Sequence, residues 1–167
     1  EDIPHPLNFY GESKLMAEKI VCNASIPCSI VRPVFIYGPV WEGTRSGFIQ
    51  WIKDSLEKKQ TIQVVSDEKR TPTYVGDICN GIKAIIDKSK TGIFHFAGKE
   101  ILSPAEMAIA TAQLLGLDES LLDIVKGTDL QQPVVRARKS GLTFARAAKE
   151  VGYQPVSFAE GLRQSFE

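Results

Sequence analysis

Two short runs constrain this chain most. CSIVRP (28–33) and GIFHFAG (92–98) are apolar at consecutive positions, not alternate ones. Strands covered on both faces read this way. Helix-like segments separate them and flank them. Asn8 is placed to cap a helix reaching about Val21, with Leu15, Met16, Ile20 and Val21 as its apolar side. FIQWIKDSLEKK (48–59) is amphipathic, TIQVV (61–65) reads as a strand, and YVGDICNGIKAIIDKS (74–89) as a helix from about Val75. Such alternation predicts an α/β fold with parallel pairing.

The remaining signals are local. SPAEMAIATAQLLG (103–116) carries Ser103 and Glu106 at capping-box spacing, Pro104 at the first helical position and Gly116 at the end. LLDIVKG (121–127) suggests a short strand, and LTFARAAKEVG (142–152) a helix closed by Gly152. Ser157 and Glu160 repeat the box for a last helix. VFIYGPVWEGTRSG (34–47) reads as a long loop and SDEKRTPT (66–73) as a polar turn.

Charge narrows the function. The 20 basic residues equal the 20 acidic ones, so the basic excess of a nucleic-acid binder is missing. No apolar run is long enough to span a bilayer, and no basic stretch leading into an apolar one marks a secretory signal. Cys22, Cys28 and Cys79 lack CxxC spacing. They are expected to be reduced, mostly buried small apolar residues of a cytoplasmic protein, and no metal site is expected. His95, inside an apolar strand, is expected to be structural, as is Arg32, tying the strand end to the following loop.

NFYGESKLMAEK (8–19) carries the chemistry. Tyr10 and Lys14 are four apart, hence on one helical face. An ammonium beside a phenol favours the phenolate, and a phenol tuned this way exchanges a proton near neutral pH. Hydride transfer to a carbonyl needs that proton. Ordinary surface pairs share this spacing. The context separates the readings: the helix leads into a strand and then a loop, as when a ligand sits at a strand's carboxyl end. Gly11 between them would allow a close approach.

YGESK followed by SIVRPVFIYGP resembles the extended short-chain dehydrogenase/reductases. The dTDP-4-dehydrorhamnose reductase branch is echoed most closely, by PHPLNFYGESKLMAE, RTPTYVGDICNGI, GIFHFAG and VRARKSGL. The resemblance covers nearly the whole chain. It implies the C-terminal part of a Rossmann-type parallel sheet plus a small α/β substrate-binding domain. Residues 1–40 would end the Rossmann domain, 41–74 enter the substrate domain, 75–100 return to the sheet, and 101–167 complete the substrate domain. It implies reduction of a 4-keto nucleotide sugar, a dTDP-sugar first of all, with NADP or NAD. Tyr10 would be the proton donor and Lys14 would hold the nicotinamide ribose, both touching the cofactor with Pro33 and Val34. Phe35, Arg70, Thr71, Thr73 and Arg136 would face the substrate.

Some residues depart from the pattern. Phe35 stands where epimerases and dehydratases often carry Asn and where the reductases usually carry Trp, which favours the reductase. Ala137 and Lys139 replace the Pro and Asn common in the reductases. No GxxGxxG or GxGxxG follows any strand, so nothing here cradles a pyrophosphate. The chain is therefore expected to be the C-terminal part of a longer enzyme and inactive alone. CSIVRP is expected to pair with GIFHFAG on one side. Its other edge, left open, is expected to produce a homodimer or swap through residues 28–33, or a poorly ordered N-terminal third. Two other readings stand beside the reductase: an epimerase or dehydratase, and a non-catalytic subunit that binds a dinucleotide or a partner enzyme.

Overall fold

The computed structural model describes residues 3–41, 43, 46–130 and 137–167. The chain opens with α1 (Phe9–Cys22), β1 (Ser29–Pro33), β2 (Ile36–Tyr37), α2 (Phe48–Glu57), β3 (Ile62–Val65), β4 (Lys69–Arg70) and β5 (Thr73–Tyr74). It continues with α3 (Val75–Asp87), β6 (Gly92–Phe96), α4 (Pro104–Leu115), β7 (Leu122–Val125), β8 (Lys139–Ser140), α5 (Ala145–Val151) and α6 (Phe158–Gln164). Single 3-10 turns flank β7 at Glu119–Leu121 and Gly127–Asp129.

Four parallel strand pairs organise the described residues: β1 with β6, β2 with β5, β3 with β7 and β4 with β8. The two apolar runs meet as expected, Ser29 opposite Gly92 and Pro33 opposite Phe96. Phe94 and Phe96 project to one face, where Ile78 and Ile85 of α3 and Ala147, Val151 and Tyr153 cover them. Arg32 and His95 are register partners on the opposite face. There Arg32 donates two hydrogen bonds to the Glu18 carboxylate of α1, at 2.8 and 2.5 Å, and a third to His95 Nε2 at 3.3 Å. The Arg32 bonds hold the Glu18 carboxyl below its ordinary pKa of 4.5. Arg32 is structural, but it ties the strand to a helix, not to the following loop.

A second layer packs α2 and α4 on β3 and β7 through Ile52, Leu56, Val64, Ala108 and Ala112. A third cluster, Tyr37, Ile49, Met107, Phe158 and Leu162, joins this layer to α6 and β2. The α4 caps form as read. Ser103 accepts from the Glu106 backbone N–H, Glu106 reaches back to the Ser103 N–H, and Gly116 closes the helix at φ 64°. At α6, Ser157 accepts from the Glu160 N–H, while the Glu160 carboxylate pairs with Arg163 and Gln164.

Three expectations are corrected. SDEKRTPT is no polar turn: it forms β4 and β5, and Glu68, Thr71 and Thr73 are buried. Their polar groups go under because tertiary partners receive most of them. The loop at 34–47 contains β2, which pairs with β5. The cysteines are not mostly buried: Cys22 and Cys79 are exposed and Cys28 is half-buried. Cys22 ends a helix with no buried residue, and Cys79 lies off the α3 face that buries Asp77, Ile78, Gly81 and Ile85. Among the described residues no helix is long and apolar enough to cross a membrane.

Candidate functional site

The start of α1 is fixed locally. The Asn8 side chain accepts from the Gly11 N–H at 3.0 Å, so the helix begins just before Tyr10. A methyl group added at Gly11 would stand 3.0 Å from Pro6 Cβ. The close approach that the bare backbone permits is made by the chain's own N-terminal segment. Tyr10 is 70% exposed, and Lys14 places Nζ 5.6 Å from its ring centroid. The two share a face, as their spacing requires.

A cavity of about 750 Å³ opens beside Tyr10, within the range of small-molecule sites. Tyr10, Phe35 and Arg70, distant in sequence, line it together. The backbone of Phe35 is left-handed, φ 43°, which costs free energy in a bulky residue. Neighbouring bonds hold this conformation: the Thr73 N–H donates to Phe35 O at 3.1 Å, and the Thr73 hydroxyl lies 2.7 Å from Val34 O. That hydroxyl also lies near Thr71 O and Phe96 O, at 3.1 and 3.3 Å. Thr73 thus stands where the ends of β1, β5 and β6 converge, fully buried and off the cavity wall. Thr71 lies beside it, also buried, and its hydroxyl has no hydrogen-bond partner among the described residues.

Arg70 faces the cavity with its guanidinium already engaged. It donates to Glu68 Oε2 at 2.5 Å and to Ala137 O at 2.9 Å. Both ion-pair side chains are 11% exposed. The pair and the β4–β8 register tie the segment around Ala137 and Ser140 to the cavity wall. Pro33 ends β1 and Val34 follows it, and Pro33, Val34 and Lys14 all stand outside the cavity lining. Arg136 lies outside the described residues.

Several lining residues are not among those singled out from sequence: His5, Phe48, Trp51, Gln63, Glu68 and Ser140. Phe48 and Trp51 carried a signal. They are aromatic residues three apart on an amphipathic helix, and one of them projects beyond the buried stripe. Phe48 meets Phe35 edge-on at 5.4 Å and Trp51 at 5.7 Å.

The family model described as RmlD substrate binding domain matches residues 1–167. Methionine adenosyltransferase 2 subunit beta of Bos taurus is 33% identical over 174 residues, covering 99% of this chain and 51% of that protein. The probable low-salt glycan biosynthesis reductase Agl14 of Haloferax volcanii is 29% identical over 164 residues, 96% of this chain and 54% of that one. Among solved structures, a dTDP-4-dehydrorhamnose reductase from Bacillus anthracis in complex with NADP superposes with a TM-score of 0.89 at 25% identity. It is matched over 99% of this chain and 57% of that one. The chain spans about half the length of the curated relatives it matches.

Proposed function

Because the chain belongs to the RmlD substrate binding domain family, we propose that it forms the catalytic-helix and sugar-binding part of an NAD(P)-dependent reductase. The substrate is a 4-keto nucleotide sugar of the dTDP-4-dehydrorhamnose type, and the product serves rhamnose biosynthesis. One observation carries the reading: Tyr10 and Phe35 meet in a cavity beside the carboxyl end of β1, with the Lys14 ammonium over the Tyr10 ring.

The residues fit the nicotinamide end of a dinucleotide. Lys14 holds the ribose hydroxyls, and Pro33 and Val34 pack near the ring. A bound nicotinamide cofactor supplies the hydride. Tyr10 delivers a proton to the sugar oxygen, and the exposure of its phenol leaves it open to that oxygen. Phe35, fixed in its unusual backbone conformation, forms the apolar wall against which the sugar rests. We assign Arg70 to the substrate side as a wall element, Thr71 and Thr73 to the layer beneath it, and Arg136 to the nucleotide.

The three unpaired cysteines favour a reducing compartment, and we place the protein in the cytoplasm. For residues 1–167 on their own we also propose a homodimer joined at residues 28–33, where β1 pairs with β6 among the described residues. Sedimentation of a concentration-independent monomer would count against that dimer.

The test of function uses the longest reading frame containing these residues, assayed for NADPH oxidation with a dTDP-4-keto-6-deoxy sugar. Tyr10→Phe is expected to lower kcat by about 100-fold or more. A Tyr10→Phe enzyme within threefold of the parent rate would remove the catalytic role. The likeness to a protein named as a subunit of methionine adenosyltransferase favours a second reading, a module that binds a dinucleotide or a partner enzyme without turning over sugar. No turnover with any nucleotide sugar, beside intact NADPH binding, would select that reading.

A further inference from the structure

We propose that His5 binds a ring hydroxyl of the keto sugar, an inference that rests on the nucleotide-sugar reading above. His5 lies in the segment that leads into α1, and Pro6 after it disfavours a helical backbone there. Side chains of an extended segment point alternately to opposite sides. His5 and Leu7 accordingly reach the cavity wall. Pro6 between them turns to α1, its Cβ 3.0 Å from where a methyl group on Gly11 would stand. The fit of Pro6 against Gly11 thus sets the side to which His5 points. His5, Leu7, Tyr10 and Gly11 come to the cavity from one stretch of chain. An imidazole placed this way has less freedom to lose when a ligand binds.

Other polar groups on the wall serve the fold. Asn8 caps α1 through the Gly11 N–H, Gln63 donates to Asp123 at 3.0 Å, and Glu68 and Arg70 pair with each other. The His5 side chain is exposed towards the cavity. One nitrogen of an imidazole donates and the other accepts. A hydroxyl does both as well, so the two groups match. Tyr10 delivers its proton to the carbonyl oxygen of the sugar. That step brings the sugar ring, with its hydroxyls, to the stretch of wall that Tyr10 shares with His5. A site built to hydrogen-bond a substrate hydroxyl discriminates against the analogue that lacks it.

The test uses the longest reading frame containing these residues, assayed for NADPH oxidation with a dTDP-4-keto-6-deoxy sugar and with its 2-deoxy and 3-deoxy analogues. His5→Ala should raise KM for the sugar nucleotide about 5- to 15-fold, with KM for NADPH unchanged and kcat changed much less. With one of the two analogues, parent and His5→Ala should have equal KM, because the bonded hydroxyl is gone. Thymidine 5′-diphosphate, which lacks the sugar, should inhibit both alike. An unchanged KM in His5→Ala overturns the assignment and leaves the reductase reading standing. So does a loss that persists with both analogues, or an equal loss for thymidine diphosphate. A parent enzyme that turns over no nucleotide sugar overturns both.

Discussion

Replacing Glu106 by Gln separates two jobs done by one carboxylate. Glu106 closes the capping box on Ser103 and also pairs with Lys69 of β4 at 2.7 Å. Together these join the start of α4, whose Pro104 lines the cavity, to the strand beside Arg70. Gln keeps the box geometry and loses the charge. The Lys69 bond, then the Ser103 backbone N–H, hold the Glu106 carboxyl at a pKa of about 2, below its ordinary 4.5. Its contribution to stability is therefore complete above about pH 4.5 and is lost as pH falls through about 2. Undiscounted, a shift of that size corresponds to about 3 kcal/mol. The side chain is 48% exposed, and solvent screening reduces this to about 1 kcal/mol. Urea unfolding should show Glu106→Gln less stable than the parent by about 1 kcal/mol at pH 7, with the deficit shrinking steadily below pH 4.5. Glu106→Ala, which also loses the box, should cost about 1 kcal/mol more at pH 7. The reasoning fails if the Gln deficit is the same at pH 7 and pH 3, or if Ala costs no more than Gln.

Two further substitutions probe the floor of the site. Thr73→Val leaves carbonyls at the ends of β1 and β6 without the hydroxyl and should cost about 2 kcal/mol, against about 1 for Thr73→Ser, which keeps it; urea midpoints in the reverse order would refute the clamp. Gly98→Ala puts Cβ 1.9 Å from the Pro72 carbonyl oxygen. Because backbone must move, it should destabilise by at least about 3 kcal/mol, and a parent-like melting temperature would contradict that contact.

The pairing of β1 with β6 was legible because consecutive apolar residues leave few other arrangements. The α4 caps were legible because a capping box is written in four adjacent residues. Tyr10 and Lys14 were legible for the same local reason. SDEKRTPT was misread because its polarity is satisfied from afar. Arg70 needs the Ala137 carbonyl, and Thr73 needs the carbonyls of Val34 and Phe96. No window of sequence contains those partners. Trp51 was hidden differently: an aromatic residue on an amphipathic helix reads as core until the position of the cavity is known.

The parallel pairing also sets the order in which this chain becomes stable during synthesis. Ser29 waits for Gly92, Ile62 for Leu122, and Lys69 for Lys139. At about 5–20 residues per second, β1 leaves the ribosome several seconds before the strand that covers it. Until then CSIVRP lacks GIFHFAG, the strand it pairs with. Parallel sheets are slow to form because closing such long loops costs entropy before the contacts repay it. Between residues 33 and 96 the growing chain therefore carries an apolar strand whose parallel partner is not yet made.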